Sequence, residues 1–341
     1  MKKPIRCCTP STGNPGNFNH QHMESRRVFL KKSAVAGLGI PIVGPSFLNK
    51  TSSMVPEINC PLCIFSKHLQ FLEDYGDMAD AALEAGFDGV DLGVRPGAHV
   101  EPERVEKDLP RAVEAIRKRG LKVPMMVTAI NDAKDPTALP VLKTAGQLGI
   151  QVYRMGYYQY DDKLGIEGSI EKFRSVAAGL AVLNEKYGIR GAYQNHSGLY
   201  FGAPVWDLWL LLKDLDPQWM GSQYDICHAS IEGNHSWPYA LELIRPYIHC
   251  VVAKDAKYDK MNGRWRNVYL PLGEGIVDWD SFLGYLKESG YTGPISLHVE
   301  YPMYDEEDQS LTVEQKRKGA MNHMKKDVAF LREKMKQAGL I

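Results

Sequence analysis

The sequence has no surplus of charge of either sign. Lys and Arg together number 41, Asp and Glu also number 41, and the formal net charge of the 341 residues is zero. Because binding to a phosphate backbone depends on a basic surface, we expect no nucleic-acid partner. The phosphate-binding patterns G-x-G-x-x-G and G-x-x-x-x-G-K are absent, which argues against an open, doubly wound nucleotide-binding sheet. Apart from one short stretch near the start, no apolar run approaches the length of a membrane span.

Cysteine is scarce as well. Six cysteines in the whole chain are too few and too scattered for a disulfide framework. Cys60 and Cys63 have the C-x-x-C spacing of redox and metal sites, but they open an apolar run rather than a helix. No second pair is present to complete a zinc site. We therefore predict that both cysteines pack as small hydrophobic residues.

The first 50 residues divide into two segments. Residues 1–22 are polar and without pattern, which indicates a misassigned or disordered start, and we predict that Met23 is the true first residue. Residues 23–50 contain Arg26 and Arg27, followed by a small, apolar, glycine-rich stretch, and they resemble a twin-arginine export signal. The segment predicts a periplasmic protein that meets the membrane only through this signal. No clear cleavage site follows, so the signal is either removed or kept as an anchor.

Residues 58–341 repeat one pattern. A helical segment ends in glycine, an apolar strand follows, and polar residues close the strand. Glycine just past a helix end accepts the left-handed conformation that other residues resist. Such glycines stand at Gly86, Gly120, Gly149, Gly188 and Gly290. With three further apolar segments, the pattern predicts eight strands alternating with helices, which is a single (β/α)8 TIM barrel of the α/β class. A last amphipathic helix over Thr312–Gln337 is predicted to pack outside the barrel.

Polar residues lie at the carboxyl ends of the predicted strands. Alternate strand residues point into a barrel, and those nearest the carboxyl ends face the substrate pocket. This parity predicts an inward set made of Arg154, Gln194, His196, Asp225, Cys227, Val252, Lys254, His298 and Glu300. Loop ends add Lys67, His68, Asp91, Arg95 and His99. Taken alone, Asp225 would fit equally well as a cap for the turn that follows it. Burying so many polar groups without a function would be costly, so the set predicts a binding or catalytic site.

The motifs at these strand ends resemble those of the sugar phosphate isomerase/epimerase group, the xylose-isomerase-like barrels, over residues 60–337. The resemblance rests on FDGVDLGVRPGAH (87–99), QNH (194–196), YDICH (224–228), AKDA (253–256), PLGEGIVDW (271–279) and GPISLHVEY (293–301). Their order and spacing are specific to the superfamily and not to one reaction. The resemblance implies a TIM barrel that acts on a small-molecule carbohydrate.

The resemblance also implies a divalent metal, such as Mn, Mg, Co or Zn, held by Glu, Asp, His and Glu on the last four strands. Carried over position by position, the sequence offers Gln194, Asp225, Val252 and His298, so that only Asp225 agrees. Val252 cannot ligate, and we expect Asp225, His298 and Gln194 to hold any metal. The group's epimerases use the two glutamates as an acid/base pair, whereas the amide of Gln194 cannot exchange a proton near neutral pH.

The remaining groups suit proton abstraction next to a carbonyl, and they predict a metal-assisted sugar isomerase or epimerase. Lys254 or the metal would stabilise the enediolate oxygen, and His196, His298 or Glu300 would accept the proton. Substrate contacts are predicted for His68, Arg95, His99, Arg154, His228 and Trp237. Because phosphorylated sugars are scarce outside the cytoplasm, the predicted export favours an unphosphorylated sugar or keto-sugar.

Two other functions stay open. The lost base at Gln194 also fits a lyase or hydratase acting on a keto-sugar or 3-keto-glycoside. The losses at Gln194 and Val252 together fit a non-catalytic sugar-binding barrel. Endonuclease action would need several metals and a basic groove, and the neutral charge argues against it. The sequence does not decide between a monomer and a homodimer.

Overall fold

The computed structural model describes residues 60–341. The predicted export segment and the predicted start at Met23 lie outside the described residues. Within 60–341, none of the helices combines the length and the apolar character that crossing a bilayer requires.

Eight parallel strands close into a barrel, as the sequence predicts. They are β1 (Leu62–Phe65), β2 (Gly89–Val94), β3 (Lys122–Thr128), β4 (Val152–Arg154), β5 (Arg190–Gln194), β6 (Met220–Asp225), β7 (Ile248–Ala253) and β10 (Ile295–Leu297). Each strand pairs with its neighbours in chain order, and β10 pairs with β1 to complete the ring. The carboxyl ends of all eight strands therefore meet at one end of the barrel, the mouth.

The helices surround this barrel. They are α1 (Tyr75–Ala85), α2 (Val105–Arg117), α3 (Ala138–Gln147), α4 (Gly165–Tyr187), α5 (Val205–Leu212), α6 (Ile226–Gly233), α7 (Trp237–Ile244), α8 (Trp279–Glu288) and α9 (Val313–Gln337). The five glycines predicted to end helices all have positive φ, between 65° and 93°. The helix α9 begins with a capping box built by Thr312 and Gln315, and it packs on α1 and α8, outside the barrel as predicted.

One element interrupts the strand–helix alternation. After β7, the strands β8 (Asp255–Met261) and β9 (Arg264–Leu270) form an antiparallel hairpin. Asn262 and Gly263 occupy its two-residue turn with φ of 51° and 78°, the conformation that Asn-Gly favours in tight hairpins. The hairpin is an insertion at the mouth, immediately after Lys254.

Two separate layers of apolar side chains make the core. The larger one lies between the strands and the helices, and Cys60 packs within it. The smaller one fills the interior of the barrel with Met125, Val152, Ala192 and Cys250. Cys60 and Cys63 are buried free thiols, in agreement with the predicted packing role. Because the interior apolar layer is thin, the space between it and the mouth is left for the polar residues of the strand ends.

Candidate active site

Asp225 ends β6 at the mouth and is fully buried. Its Oδ1 accepts a hydrogen bond from the backbone N–H of His228 at 3.0 Å, so it caps α6. Its own backbone is held by Asn195, which accepts from the Asp225 N–H at 2.8 Å and donates to the Asp225 carbonyl at 2.9 Å. The sequence left a capping role and a place in the site as alternatives for Asp225. The structure shows both, because Oδ1 caps α6 and Oδ2 points to the other inward side chains.

The second carboxylate oxygen of Asp225 forms a buried ion pair. Nζ of Lys254 lies 2.9 Å from Oδ2, and the two side chains are 4% and 0% exposed. Burial is the largest influence and lowers the pKa of Lys254, but the charge and hydrogen bond of Asp225 together with Cys227 and Tyr269 outweigh it, and the pKa is raised overall. Lys254 is therefore a permanent cation at the mouth, and its ammonium also faces Nε2 of His228 and the ring of Tyr269.

Gln194, at the end of β5, forms hydrogen bonds through both the nitrogen and the oxygen of its amide. Nε2 donates to Oδ2 of Asp225 at 2.8 Å. Oε1 accepts from the hydroxyl of Tyr157 at 2.6 Å and from Nη1 of Arg154 at 3.2 Å. The guanidinium of Arg154 also lies over the Tyr157 ring, 4.9 Å from its centre. Arg154, Gln194, Asp225 and Lys254 thus form one continuous polar network across four strand ends.

Two histidines continue this network. Nε2 of His228 faces the Lys254 ammonium, which can only donate, so the proton of the neutral imidazole lies on Nδ1, 2.8 Å from Oγ of Ser197. The ring of His196 lies 4.0 Å from that of His228. Burial and then the charge of Lys254 hold the pKa of His196 below its usual value and that of His228 well below it. Both rings are neutral at pH 7.

His196 has a free lone pair. Its Nδ1 lies 2.9 Å from the carbonyl oxygen of Ser197, an acceptor, so Nδ1 carries the proton. Nε2 is then unprotonated and available as a base. His196 is partly exposed, whereas His228 is completely buried. Of the two, His196 is the histidine that a bound molecule can reach.

A second polar group lies across the mouth, around His298. Among residues 60–341, Nε2 of His298 has no hydrogen-bond partner. It lies 4.0 Å from Oδ2 of Asp91, which accepts from Ser296 at 2.7 Å. Burial raises the pKa of Asp91 to about 6. The His298 ring packs on Phe65 and approaches His68, whose Nε2 accepts from the Val299 N–H at 3.1 Å. His298 thus faces Asp91 rather than Asp225.

The rim of the mouth carries charged residues beside two adjoining cavities. Lys67 and Glu300 form an ion pair of 2.8 Å there. A cavity of about 430 Å³ is lined by Lys67 and Arg95, and one of about 190 Å³ by Lys67, His68 and Glu300. A further cavity of about 340 Å³ lies at the opposite end, near Arg190, where the strands begin. The two rim cavities thus lie on the side of β1, β2 and β10, and neither lining includes Arg154, Gln194, Asp225 or Lys254.

Two predicted substrate-binding residues are not at the mouth network. The indole of Trp237, at the start of α7, is 7% exposed and packs against Phe282 and Tyr285 of α8. His99 bonds through Nε2 to the Leu72 carbonyl at 3.0 Å and so ties two loops together. Apolar neighbours surround Trp237 and a backbone carbonyl binds His99, so neither side chain joins the network, and their substrate contacts stay predictions.

Three residues of the network were not identified as site residues from the sequence. Tyr157 follows β4 and binds Gln194, Ser197 positions His228, and Tyr269 reaches the Lys254 ammonium from the hairpin. Ser197 directly follows the QNH motif and Tyr157 lies within the aromatic stretch after β4. A search extended three residues past each strand end would have included both of these.

The residues that the resemblance assigns to a metal do not fit one. Within residues 60–341, no group of three or more His, Cys, Asp or Glu side chains is arranged to hold a metal ion. Val252 is apolar, and Oε1 of Gln194 already accepts two hydrogen bonds. Oδ2 of Asp225 is taken by Lys254 and Gln194, while His298 faces Asp91. We therefore derive no chemical step through a metal.

Residues 79–333 match a family model described as xylose isomerase-like TIM barrel. The chain belongs to this family. The uncharacterized protein MJ1311 of Methanocaldococcus jannaschii is 30% identical over 126 residues, 36% of this chain and 41% of that protein, so the match spans less than half of that relative. L-ribulose-5-phosphate 3-epimerase UlaE of Salmonella paratyphi C is 25% identical over 271 residues, 70% of this chain and 87% of that one.

The solved structures show the same fold. The D-allulose 3-epimerase of Methylomonas sp., in complex with D-allulose, is 16% identical with a TM-score of 0.59 and is matched over 81% of this chain and 97% of its own. At this identity the likeness supports the fold alone. Together with UlaE and the family match, the comparisons support classification of the chain as an enzyme of the isomerase class.

Proposed function

We propose that this protein is a sugar isomerase or epimerase that abstracts a proton from the carbon next to a carbonyl. The observation that carries the proposal is the pairing of a neutral base with a fixed cation at the mouth. His196 has an unprotonated Nε2, and its ring lies 4.0 Å from that of His228, which faces the Lys254 ammonium. Removal of the proton by His196 creates an enediolate, whose oxygen a nearby cation stabilises.

The fate of the proton distinguishes the possible outcomes. In an isomerisation the protonated imidazole of His196 returns the proton to the neighbouring carbon, whereas an epimerisation requires a proton delivered to the other face of the same carbon. Gln194 holds its neighbours in place through its hydrogen bonds, and it takes no part in proton transfer because an amide is not a base near neutral pH. A single base favours isomerisation over an epimerisation that uses two bases. Loss of a leaving group from the β-carbon of the same enediolate, a lyase reaction, is the second candidate, and this single base also favours it.

The substrate is proposed to be an unphosphorylated sugar or keto-sugar. The support is the export signal predicted from Arg26 and Arg27, which lies outside the described residues. The periplasmic location is part of the same proposal. It is tested by replacing both arginines with lysine and following the protein by cell fractionation. Retention of wild-type export in that variant would remove the support for this substrate class.

The reaction itself is tested by proton exchange. The full chain is incubated in D2O with D-fructose, D-tagatose, D-allulose and L-ribulose, and separately with L-ribulose 5-phosphate, and the sugars are followed by NMR. We expect deuterium at the carbon next to the carbonyl and the appearance of an isomeric sugar from an unphosphorylated ketose. An unsaturated product would favour the lyase. Absence of both exchange and product with every sugar contradicts the proposal.

A further inference from the structure

The charge balance at the mouth differs from the one that a metal-binding barrel needs. The resemblance implies three carboxylates for a divalent ion, whereas Gln194, Asp225, Val252 and His298 supply one. The positive charge that balances this single carboxylate is already present, since Nζ of Lys254 lies 2.9 Å from Oδ2 of Asp225. The site therefore has one buried anion and one buried cation in direct contact.

A divalent ion on Asp225 would have to compete with groups that are already bound there. Oδ2 holds the Lys254 ammonium and the Gln194 amide, and Oδ1 holds the His228 N–H. An ion on Oδ2 would lie beside the Lys254 ammonium, and like charges repel strongly in a buried site. Displacing Lys254 would leave its charge buried without a partner, which is itself unfavourable.

The Lys254 ammonium has capacity for a substrate. An ammonium group has three N–H bonds. One is directed to Asp225 and one to Nε2 of His228; among residues 60–341 no hydrogen-bond acceptor binds the third, and the Tyr269 ring centre lies 5.5 Å from the nitrogen. Two fixed acceptors hold the nitrogen in place, so the third N–H is positioned before a sugar arrives. Such preorganisation is what makes a charge effective at a developing oxyanion.

We propose that Lys254 takes the place of the divalent cation, so that the reaction is independent of metal; this rests on the proposed function. Nε2 of His196 removes a proton from the carbon next to the carbonyl. The C–H electron pair forms a C=C bond, and the C=O π pair moves to the oxygen, which the third N–H of Lys254 stabilises. In an isomerisation, the proton of the neighbouring hydroxyl moves to the enediolate oxygen, and the His196 imidazolium then protonates the former carbonyl carbon. This leaves the carbonyl on the neighbouring carbon and restores the neutral base. No oxidant, reductant or second substrate is consumed.

Metal binding gives a test that does not depend on activity. The full chain, purified after dialysis against EDTA, is titrated with Mn2+ and followed by electron paramagnetic resonance, with the Asp225→Asn variant alongside. We expect the two proteins to leave the same concentration of free Mn2+. A stoichiometric Mn2+ site in the wild type that Asp225→Asn abolishes would overturn the inference, whether or not any sugar is converted.

The role of Lys254 is tested with the EDTA-treated protein and the NMR exchange assay. We expect wild-type exchange without added metal and a loss of about 100-fold or more in Lys254→Met, the effect of removing one oxyanion donor. If the single variant fails to fold, Asp225→Asn/Lys254→Met removes both charges and should show the same loss. Lys325→Met removes a lysine from an exposed pair with Glu84 and should keep wild-type exchange.

The outcomes separate the two proposals. Exchange that appears only when Mn2+ is added overturns the role of Lys254 and leaves the isomerase proposal standing. Exchange that survives in either Lys254 variant also overturns the inference. Absence of exchange in the wild type with and without metal contradicts the proposed function, and the Mn2+ titration then still decides whether Lys254 has replaced the ion.

Discussion

Removing one charge from the Lys254–Asp225 pair should destabilise the barrel more than removing both. The two side chains are 4% and 0% exposed and 2.9 Å apart, so each charge has almost no water to replace its partner. Leaving one member of a buried pair alone costs about 3–5 kcal/mol, whereas replacing both with uncharged groups of similar size is often nearly neutral. The relevant variants are Lys254→Met, Asp225→Asn and the double variant.

The magnitudes follow from these values. Each single variant should lose about 3–5 kcal/mol, and the double variant about 1 kcal/mol, which gives a coupling energy of about 5 kcal/mol or more. For a domain of this size 1 kcal/mol corresponds to about 2–4 °C in Tm, so the single variants should melt about 10 °C lower. Thermal unfolding monitored by circular dichroism measures all four proteins of the cycle.

The control is an exposed ion pair of the same length. Lys325 and Glu84 lie 2.8 Å apart with side chains 49% and 43% exposed. The cycle of Lys325→Met and Glu84→Gln should give less than about 1 kcal/mol, and high salt should reduce it further. If the double variant at Lys254 and Asp225 instead loses the sum of the two single losses, the charges do not stabilise each other and the reasoning is refuted.

Three other perturbations have definite expected outcomes. Replacing His196 with Ala should slow sugar proton exchange by about 100-fold to 10,000-fold with an unchanged circular dichroism spectrum, and a loss below tenfold would argue for another base. Gly221→Ala should lower Tm by several degrees, because its Cβ would overlap the carbonyl oxygen of Tyr247. Gly284→Ala lies inside α8, where no atom of residues 60–341 would touch the new Cβ, and should raise stability by about 0.5–1 kcal/mol. Calorimetry that ranks the two variants the other way contradicts the packing argument. Burial raises the pKa of Asp327 from 3.8 to about 6, so its contribution to stability is fully present below pH 4 and is lost as the pH rises through 6. Between pH 4 and 8, the stability of the wild type should therefore fall relative to that of Asp327→Asn by up to about 3 kcal/mol. Parallel stability profiles of the two proteins over this pH range would contradict a raised pKa at Asp327.

The fold could be predicted because its signals are local. Five of the βα repeats end their helix with a glycine, and the conformation of a residue such as Gly188, with φ of 65° and its N–H bonded to the Asn184 carbonyl, does not depend on distant parts of the chain. The sequence analysis did not predict the hairpin, although Asn262-Gly263 is a usual hairpin turn, because the first segment, DAKYDKM, has only one aromatic and no β-branched residue. The expectation of strict strand–helix alternation took precedence over that local turn.

The sequence predicts which strand residues point into the barrel, through their alternation along each strand, and it predicts no more of the site than that. Parity brought Arg154, Gln194, Asp225 and Lys254 to one network, since inward residues near the carboxyl ends of neighbouring strands must meet. It could not separate His298 from that network. The hydrogen-bond partner of each polar side chain depends on side-chain rotamers and on distances across the barrel. Neither of these can be deduced from the spacing of residues in the sequence.

The AKDA motif shows how two adjacent charges come to have different roles. Parity turns Lys254 into the barrel and Asp255 away from it. Asp255 is 1% exposed and accepts hydrogen bonds from the N–H groups of Ala256, Gly273 and Val277 and from the indole of Trp279. These donors satisfy its charge and fix the two ends of the hairpin insertion. The acid of the motif therefore stabilises the loop next to Lys254, while the ammonium of Lys254 is left to pair with Asp225 and to meet a ligand.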